Sequence, residues 1–412
     1  MHETATVGLT FSNSMALACL AFFGALAFSL ALVPVFRALA LRLRILDHPG
    51  GRKEHLSPTP LLGGVAVFFA CAAALGLVAL AQRFMGVAGE TELGFGRIGY
   101  IFTGSVVIFL TGLLDDLFKD RLPFYYKLSG QILGSSVAMG VLFYAQLVRF
   151  VSEDVPLADY VYLAILMGWM LTVINSFNFS DNMNGLSSGL AVIAILTSMV
   201  YLGSQVNTRF LVLGFILTGA VLGFMPYNFP KARIFLGDAG SMFVGYWIGI
   251  ILWPLTSGFF NGDRPLYGLD LLVPPVLVLG VPLYDAAFVV IMRWKERRPV
   301  YLGDNKHLSH RLVRCGFTTT EAVLILWGLA LILAGLGAMS IQAGYGARYV
   351  SFAVGLSFML IVTVLVMRKE REHARVFPEA RAREDGGGGE DGVFRAEGNV
   401  PRGEREPPRA RW

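Results

Sequence analysis

The chain has 412 residues, of which 55% are hydrophobic and 15% are charged, and its mean hydropathy is +0.60. Because a soluble globular domain carries roughly 25% charged residues, this composition excludes an ordinary soluble protein and indicates a polytopic membrane protein. The net charge of +5 says little by itself, since the distribution of basic residues matters more, and we expect no nucleic-acid partner.

Eleven apolar segments are long enough to be membrane spans, given that a spanning helix needs about 20 mostly apolar residues. They centre on residues 15–36, 62–84, 98–114, 128–146, 159–176, 187–203, 209–226, 241–257, 270–292, 320–340 and 347–367. The sequence therefore predicts an all-α polytopic fold with about eleven transmembrane helices, forming a membrane domain over 1–367. From residue 368 the chain is rich in Arg, Glu, Gly and Pro, which predicts a disordered, charged tail over 368–412.

Lysine and arginine concentrate in the loops that follow the odd-numbered segments. The first of these loops carries Arg37, Arg42, Arg44, Arg52 and Lys53, whereas the alternate loops hold about one basic residue each. Since basic loops remain in the cytoplasm, we expect the N-terminus outside and the C-terminus inside.

Four polar clusters lie in these basic loops, so the sequence predicts a single site on the cytoplasmic face. They are Asp115–Asp116, Asn175–Gly185, Asn228 with Phe235–Ser241, and His307–Arg311. Ionised residues at the end of an apolar helix are costly, which favours a functional role for the paired aspartates. The alternative is a helix that has simply ended at water.

The residue types in these clusters suit phosphate chemistry. The carboxylates of Asp115, Asp116, Asp181 and Asp238 are hard oxygen ligands that suit Mg²⁺ or Mn²⁺, with substrate phosphates completing the coordination. Asp238 stands in a Gly-Asp-Ala-Gly-Ser sequence that opens a predicted helix, where an anion is favoured. A capped loop is the alternative interpretation of that sequence.

Cations and amides complete the predicted site. Lys127 and Arg311 are the strongest candidates for a phosphate clamp, and His307 and His310 lack a third zinc ligand, so anion contact or a solvated loop is favoured over zinc. The amides of Asn175, Asn178, Asn182 and Asn184 can read a uracil or an acetamido group, or cap the next helix. Together these groups suggest phosphoryl transfer between a nucleotide and a lipid, with an ion-coupled transporter as the alternative.

Several motifs in order resemble the polyprenyl-phosphate N-acetylhexosamine-1-phosphate transferases of the WecA, TagO and MraY type, and the WecA/TagO branch most. They are Asp47–His55 continuing to Pro58–Gly64, Gly112–Lys119, Lys127–Gln131, Asn175–Gly185, and Asn228 with Phe235–Ser241. The resemblance covers about residues 15–367.

The resemblance implies that undecaprenyl phosphate attacks the β-phosphorus of a UDP-N-acetylhexosamine at the inner leaflet of a bacterial plasma membrane, giving UMP. It implies Mg²⁺ at Asp238 and Asp116, with Asp115 deprotonating or positioning the lipid phosphate. Nucleotide-sugar contacts would come from Asn178, Asp181, Asn184 and Asn228, and phosphate contacts from Lys53, Lys127, His307, His310 and Arg311. A homodimer follows by family analogy only.

Three departures from the family pattern matter. The third acid after the aspartate pair falls at Asp120, one residue later than in the WecA pattern. Asn184 stands where an aspartate is usual, so this position cannot be an obligatory metal carboxylate. The sequence His307-Leu-Ser-His310 replaces the consecutive histidines of the MraY branch. This difference argues against a UDP-MurNAc-pentapeptide substrate and for UDP-GlcNAc or a related amino sugar.

Overall fold

A computed structural model describes residues 2–48, 58–85, 95–118, 122–142, 157–204, 208–253, 269–299, 305–341 and 343–376. These residues are mostly helical. In chain order the helices are α1 (His2–Leu43), α2 (Gly63–Met85), α3 (Phe95–Phe118), α4 (Phe124–Leu142), α5 (Leu157–Ser180), α6 (Leu186–Ser204), α7 (Thr208–Asn228), α8 (Gly237–Leu252), α9 (Val273–Val278), α10 (Gly280–Lys295), α11 (Leu308–Arg314), α12 (Thr319–Ile341) and α13 (Tyr345–Val376). A 3₁₀ helix, Leu269–Leu272, precedes α9.

Two very short strands accompany the helices. Strand β1 (Leu46–Asp47) pairs antiparallel with β2 (Thr59–Pro60), so that Leu46 lies opposite Pro60. Strand β2 then leads into α2, whose Gly63 and Gly64 amides donate to the carbonyl oxygens of Phe235 and Leu236 at 3.0 and 2.8 Å. These bonds fasten the start of α2 to the segment that begins α8.

Seven of the described helices are long and apolar enough to cross a membrane, which confirms the polytopic helical class. They contain the spans Met15–Leu43, Gly63–Phe84, Ile98–Phe118, Leu163–Ser180, Phe210–Asn228, Thr319–Ile341 and Tyr345–Val376. The predicted segments at 187–203 and 241–257 overlap the shorter apolar helices Leu186–Val200 and Gly237–Leu252, and the segment at 128–146 overlaps α4.

The predicted ninth segment is a bent pair of helices instead of one straight span. Asp270–Val278 and Gly280–Lys295 meet at 93°, and counting this pair as one span gives eight candidates. Pro282 has no amide to donate to the carbonyl of Val278, so a continuous helix would lose that bond. The break between α9 and α10 lies at this point.

Helix α8 is the centre of the bundle. Every residue from Ala239 to Leu252 is buried, and the helix packs against α2, α3 and α5. The Phe68 ring lies 5.4 Å from Phe243 and 4.1 Å from Phe109, which joins α2, α8 and α3. A Cβ at Gly112 would lie 2.5 Å from the Asp238 carbonyl oxygen, so the glycine lets the end of α3 approach the start of α8.

The last helix passes the predicted boundary of the membrane domain at residue 368. Helix α13 continues to Val376, and its final turns pack on α11 and the residues after it. The Lys369 ammonium lies 4.3 Å from the centre of the Phe317 ring, and Glu370 pairs with Arg311 and Arg314. Residues 368–376 are therefore ordered by contacts that the local sequence does not reveal, and residues 377–412 lie outside the described part.

Candidate functional site

Asp116 binds the amino-terminal end of α8. Its two carboxylate oxygens accept hydrogen bonds from the Asp238 and Ala239 amides, both at 2.9 Å. Gly237 has a φ of +72°, which a glycine adopts without strain, and this turn points the amides at Asp116. The carboxylate thus satisfies two of the amides that a helix start leaves without partners, and its charge complements the helix dipole.

Lys127 joins the carboxylates of Asp115 and Asp238. Its Nζ lies 2.9 Å from Asp115 Oδ2 and also contacts Asp238 Oδ2. The same ammonium group therefore bridges the two carboxylates. These three side chains lie on α3, α4 and α8, and they meet because α3 packs on both of the other helices. We call Asp115, Lys127 and Asp238 the acid–lysine cluster.

Asn178 and Asp181 approach the acid–lysine cluster from the end of α5 and the turn after it. The Asn178 amide donates to Asp238 Oδ1 at 2.9 Å and to Ser241 Oγ at 3.0 Å. Burial raises the pKa of Asp181 well above its ordinary value, and the neighbouring carboxylates of Asp238 and Asp116 raise it further, against a hydrogen bond from the Gly237 amide. The acid–lysine cluster itself has two carboxylates for one lysine, so it carries one negative charge in excess when all three groups are ionised.

The donor set suits a magnesium ion that is completed by substrate. Within the described ranges, no three His, Cys, Asp or Glu side chains form a ready-made metal site. Mg²⁺, however, is usually bound by one or two carboxylates together with waters and substrate phosphates. Asp115 and Asp238 supply such a pair. Asp116, one of the two predicted metal ligands, instead has both oxygens hydrogen-bonded to the start of α8.

Asn228 holds the asparagine-rich turn in place. Its Oδ1 accepts from the Gly185 amide at 2.6 Å, and its Nδ2 donates to the Ile234 carbonyl oxygen at 3.0 Å. The side chain is 3% exposed, so the structure gives it a supporting place behind the turn. The neighbouring Asn184 is half-buried, and its amide lies 3.4 Å from the Pro230 carbonyl oxygen. The sugar and uracil contacts assigned to these residues stay predictions.

The predicted phosphate-binding residues of the ninth loop lie on or beside α11, and they have protein partners. His307 Nδ1 lies 2.7 Å from Asp285 Oδ2, and His310 is buried. The Arg311 guanidinium donates to Glu370 at 2.8 Å and lies 5.2 Å from the centre of the Phe288 ring. Arg311 is thus neutralised by a carboxylate. Lys53 falls outside the described residues.

Two residues of this region were missing from the predicted site. Asp285 is a buried acid within a predicted span, and such a residue is itself a signal of function. Glu370 gave no signal, since it stands in a stretch that is charged throughout. Ser309 connects α11 to the asparagine-rich turn, because its hydroxyl donates to Asn182 Oδ1 at 2.8 Å.

Comparison with known proteins decides the family. The model described as "Glycosyl transferase family 4" matches residues 98–255. A Bacillus subtilis (strain 168) protein named probable undecaprenyl-phosphate N-acetylglucosaminyl 1-phosphate transferase is 30% identical over 305 residues, which are 74% of this chain and 79% of the relative. The chain belongs to the polyprenyl-phosphate N-acetylglucosamine-1-phosphate transferase family.

Other members of this transferase family match along most of their length. The decaprenyl-phosphate N-acetylglucosaminephosphotransferase of Mycolicibacterium smegmatis is 30% identical, over 80% of this chain and 83% of the relative. The undecaprenyl-phosphate alpha-N-acetylglucosaminyl 1-phosphate transferase of Thermotoga maritima is 27% identical, over 83% of this chain and 96% of the relative. The region matched by the family model contains Asp115, Asp116, Lys127, Asp181 and Asp238. All three residues of the acid–lysine cluster therefore lie within the region that matches the family model.

Proposed function

We propose that the protein transfers N-acetylglucosamine-1-phosphate from UDP-GlcNAc to a polyprenyl phosphate, such as undecaprenyl phosphate, giving a lipid-diphosphate sugar and UMP. The observation that carries this proposal is the acid–lysine cluster at the ends of apolar helices, in a chain whose relatives are named for this transfer. Neither the MurNAc-pentapeptide reaction nor a transporter is favoured by the names of these relatives.

In the proposed reaction an oxygen of the lipid phosphate attacks the β-phosphorus of UDP-GlcNAc. The bond from that phosphorus to the bridging oxygen breaks, and UMP leaves with the electron pair. Such a transfer depends mainly on in-line positioning and charge neutralisation. The Asp115 side chain is 22% exposed, so it is placed to take the proton of the lipid phosphate or to orient that phosphate.

Asp238 would hold Mg²⁺, which supplies positive charge to the diphosphate when it is bound, and Asp115 would remain available to the lipid phosphate. Lys127 lies between the same carboxylates and would turn toward phosphate oxygens as a second cation. Asn178 donates a hydrogen bond to Asp238 and so restricts the orientation of that carboxylate. Asp116 holds the start of α8 and acts on the site through Asp238.

We further propose eleven spans, with the N-terminus outside, the C-terminus in the cytoplasm and the site on the cytoplasmic face of a bacterial plasma membrane. The support for this orientation is the concentration of lysine and arginine in alternate loops. In this arrangement the nucleotide sugar reaches the site from the cytoplasm, and the lipid phosphate reaches it from the inner leaflet.

The test is a transfer assay with purified protein in detergent, radiolabelled UDP-GlcNAc, undecaprenyl phosphate and MgCl₂. We expect radiolabel in the lipid fraction and an equal amount of UMP, with neither product when the lipid or Mg²⁺ is omitted. Asp238→Asn should lower turnover at least about 100-fold, as the loss of a central electrostatic group does in other enzymes. If neither product forms with UDP-GlcNAc or any other UDP-amino sugar, the proposed function is wrong.

A further inference from the structure

Asp285 is a buried carboxylate on α10, inside the bent pair of helices. Its side chain is 9% exposed. One oxygen, Oδ2, lies 2.7 Å from His307 Nδ1, and the other, Oδ1, accepts the Leu308 amide at 2.7 Å. A single carboxylate on one helix therefore holds both the imidazole before α11 and the first amide of α11.

Capping alone does not explain a charged residue at this position. Helix α11 begins after His307, and no side chain at that cap position bonds its amides, so Asp285 supplies the acceptor. A neutral serine or asparagine could do the same, without the cost of burying a charge. The charge of Asp285 is explained by its second partner, the imidazole of His307.

The bond to Asp285 determines which ring nitrogen of His307 faces a ligand. A carboxylate only accepts hydrogen bonds, so Nδ1 carries a proton, and any substrate contact must be made by Nε2. When Nε2 is protonated as well, the Asp285 charge compensates that of the ring, and the Nε2 proton can be donated to an anion.

His307 also lies against the segment that carries the nucleotide-sugar candidates. Its ring meets the edge of Phe179 with a centroid distance of 6.1 Å, and Phe179 follows Asn178, which binds Asp238. Two residues along, Ser309 donates to Asn182. Displacing Asp285 would therefore move the imidazole relative to the asparagine-rich turn.

We propose that Asp285 is a positioning residue of the transfer reaction, which fixes His307 through Nδ1 so that Nε2–H is presented to a phosphate group of the nucleotide sugar. This inference rests on the proposed function, since it assigns a diphosphate as the ligand. Asp285 acts only through His307 and needs no contact with substrate.

A double-mutant cycle in the transfer assay tests this proposal. Asp285→Asn keeps an oxygen for the Leu308 amide but places a neutral group against Nδ1. We expect kcat/KM for UDP-GlcNAc to fall about 10-fold, mainly through a higher KM, because one charge-assisted hydrogen bond is weakened. His307→Gln should cost as much or more, and the double variant should be no worse than His307→Gln alone. A purely structural role would make the two effects multiply.

The matched control is Asp270→Asn, which removes another buried carboxylate, whose partner is Arg348 at 2.8 Å. This variant should keep wild-type kcat/KM per folded molecule. If Asp285→Asn does not fold, Asp285→Ser takes its place in the cycle. The inference is overturned if Asp285→Asn keeps the wild-type kcat/KM. It is also overturned if Asp285→Asn lowers kcat/KM by the same factor in the His307→Gln variant as in the wild type. Either outcome leaves the proposed function intact. A wild-type protein that releases no UMP overturns the proposed function, and this inference with it.

Discussion

The role of Asp116 can be tested by removing its carboxylate in Asp116→Ala. The sequence predicts a metal ligand at this position, whereas the structure bonds both oxygens to the Asp238 and Ala239 amides at 2.9 Å. Asp116 is only 8% exposed. In the alanine variant the two amides at the start of the buried helix α8 lose their acceptors.

The expected loss of stability follows from these two bonds. A buried donor left without a partner costs about 1–3 kcal/mol, which gives about 2–6 kcal/mol for two. Removing a buried charge returns part of this cost, so we expect the lower half of the range, about 2–4 kcal/mol. At roughly 2 °C for each kcal/mol, the thermal midpoint should fall by roughly 4–8 °C.

The measurement is thermal unfolding in detergent, with EDTA and with MgCl₂. Glu321→Ala is the control, because Glu321 accepts the Thr318 amide at 2.8 Å at the start of α12. Since that bond is exposed to solvent, its loss should lower the thermal midpoint much less than the loss of the buried Asp116 carboxylate. The cap interpretation is refuted if Asp116→Ala unfolds at the wild-type temperature in EDTA and differs only when Mg²⁺ is present. That result would restore the predicted metal ligand.

Three further variants test the charges around the site. Lys127→Met removes the cation shared by Asp115 and Asp238, and turnover in the transfer assay should fall at least about 100-fold; turnover above about a tenth of wild type would contradict this. Glu370→Gln removes the charge that pairs with two arginines of α11. The free energy of unfolding should fall by about 1–2 kcal/mol, and the thermal midpoint should fall with it; an unchanged midpoint would argue against this ion pair. Because burial and the neighbouring carboxylates raise the pKa of Asp181 in the folded protein, its carboxyl destabilises the fold increasingly as the pH rises above the unfolded pKa of about 3.9. Asp181→Asn in EDTA should therefore match wild type near pH 4 and unfold at a higher temperature than wild type at pH 7, whereas an advantage confined to low pH would show the opposite sign.

Much of the architecture follows from the sequence alone. Long apolar segments can satisfy their backbone groups in a membrane only as helices, so hydropathy predicted the helical class. The same pattern located the polar clusters at helix ends, and the structure brings Asp115, Lys127, Asn178 and Asp238 into contact. Local sequence sufficed here because each of these residues lies at or near the end of an apolar segment, or in the first turn of the next.

The tertiary structure decided which partner each charged residue has. Asp116 meets amides 122 and 123 positions away, and Arg311 meets Glu370, 59 positions away, on a helix that was predicted to have ended. Asp285 lies on α10, and its partner His307 lies directly before α11, 22 positions away. Periodicity and hydropathy describe one segment at a time, whereas these pairs depend on how the helices pack. For the same reason the sequence could assign different roles to the two adjacent aspartates but not their partners: packing directs Asp115 to Lys127 and Asp116 to the start of α8.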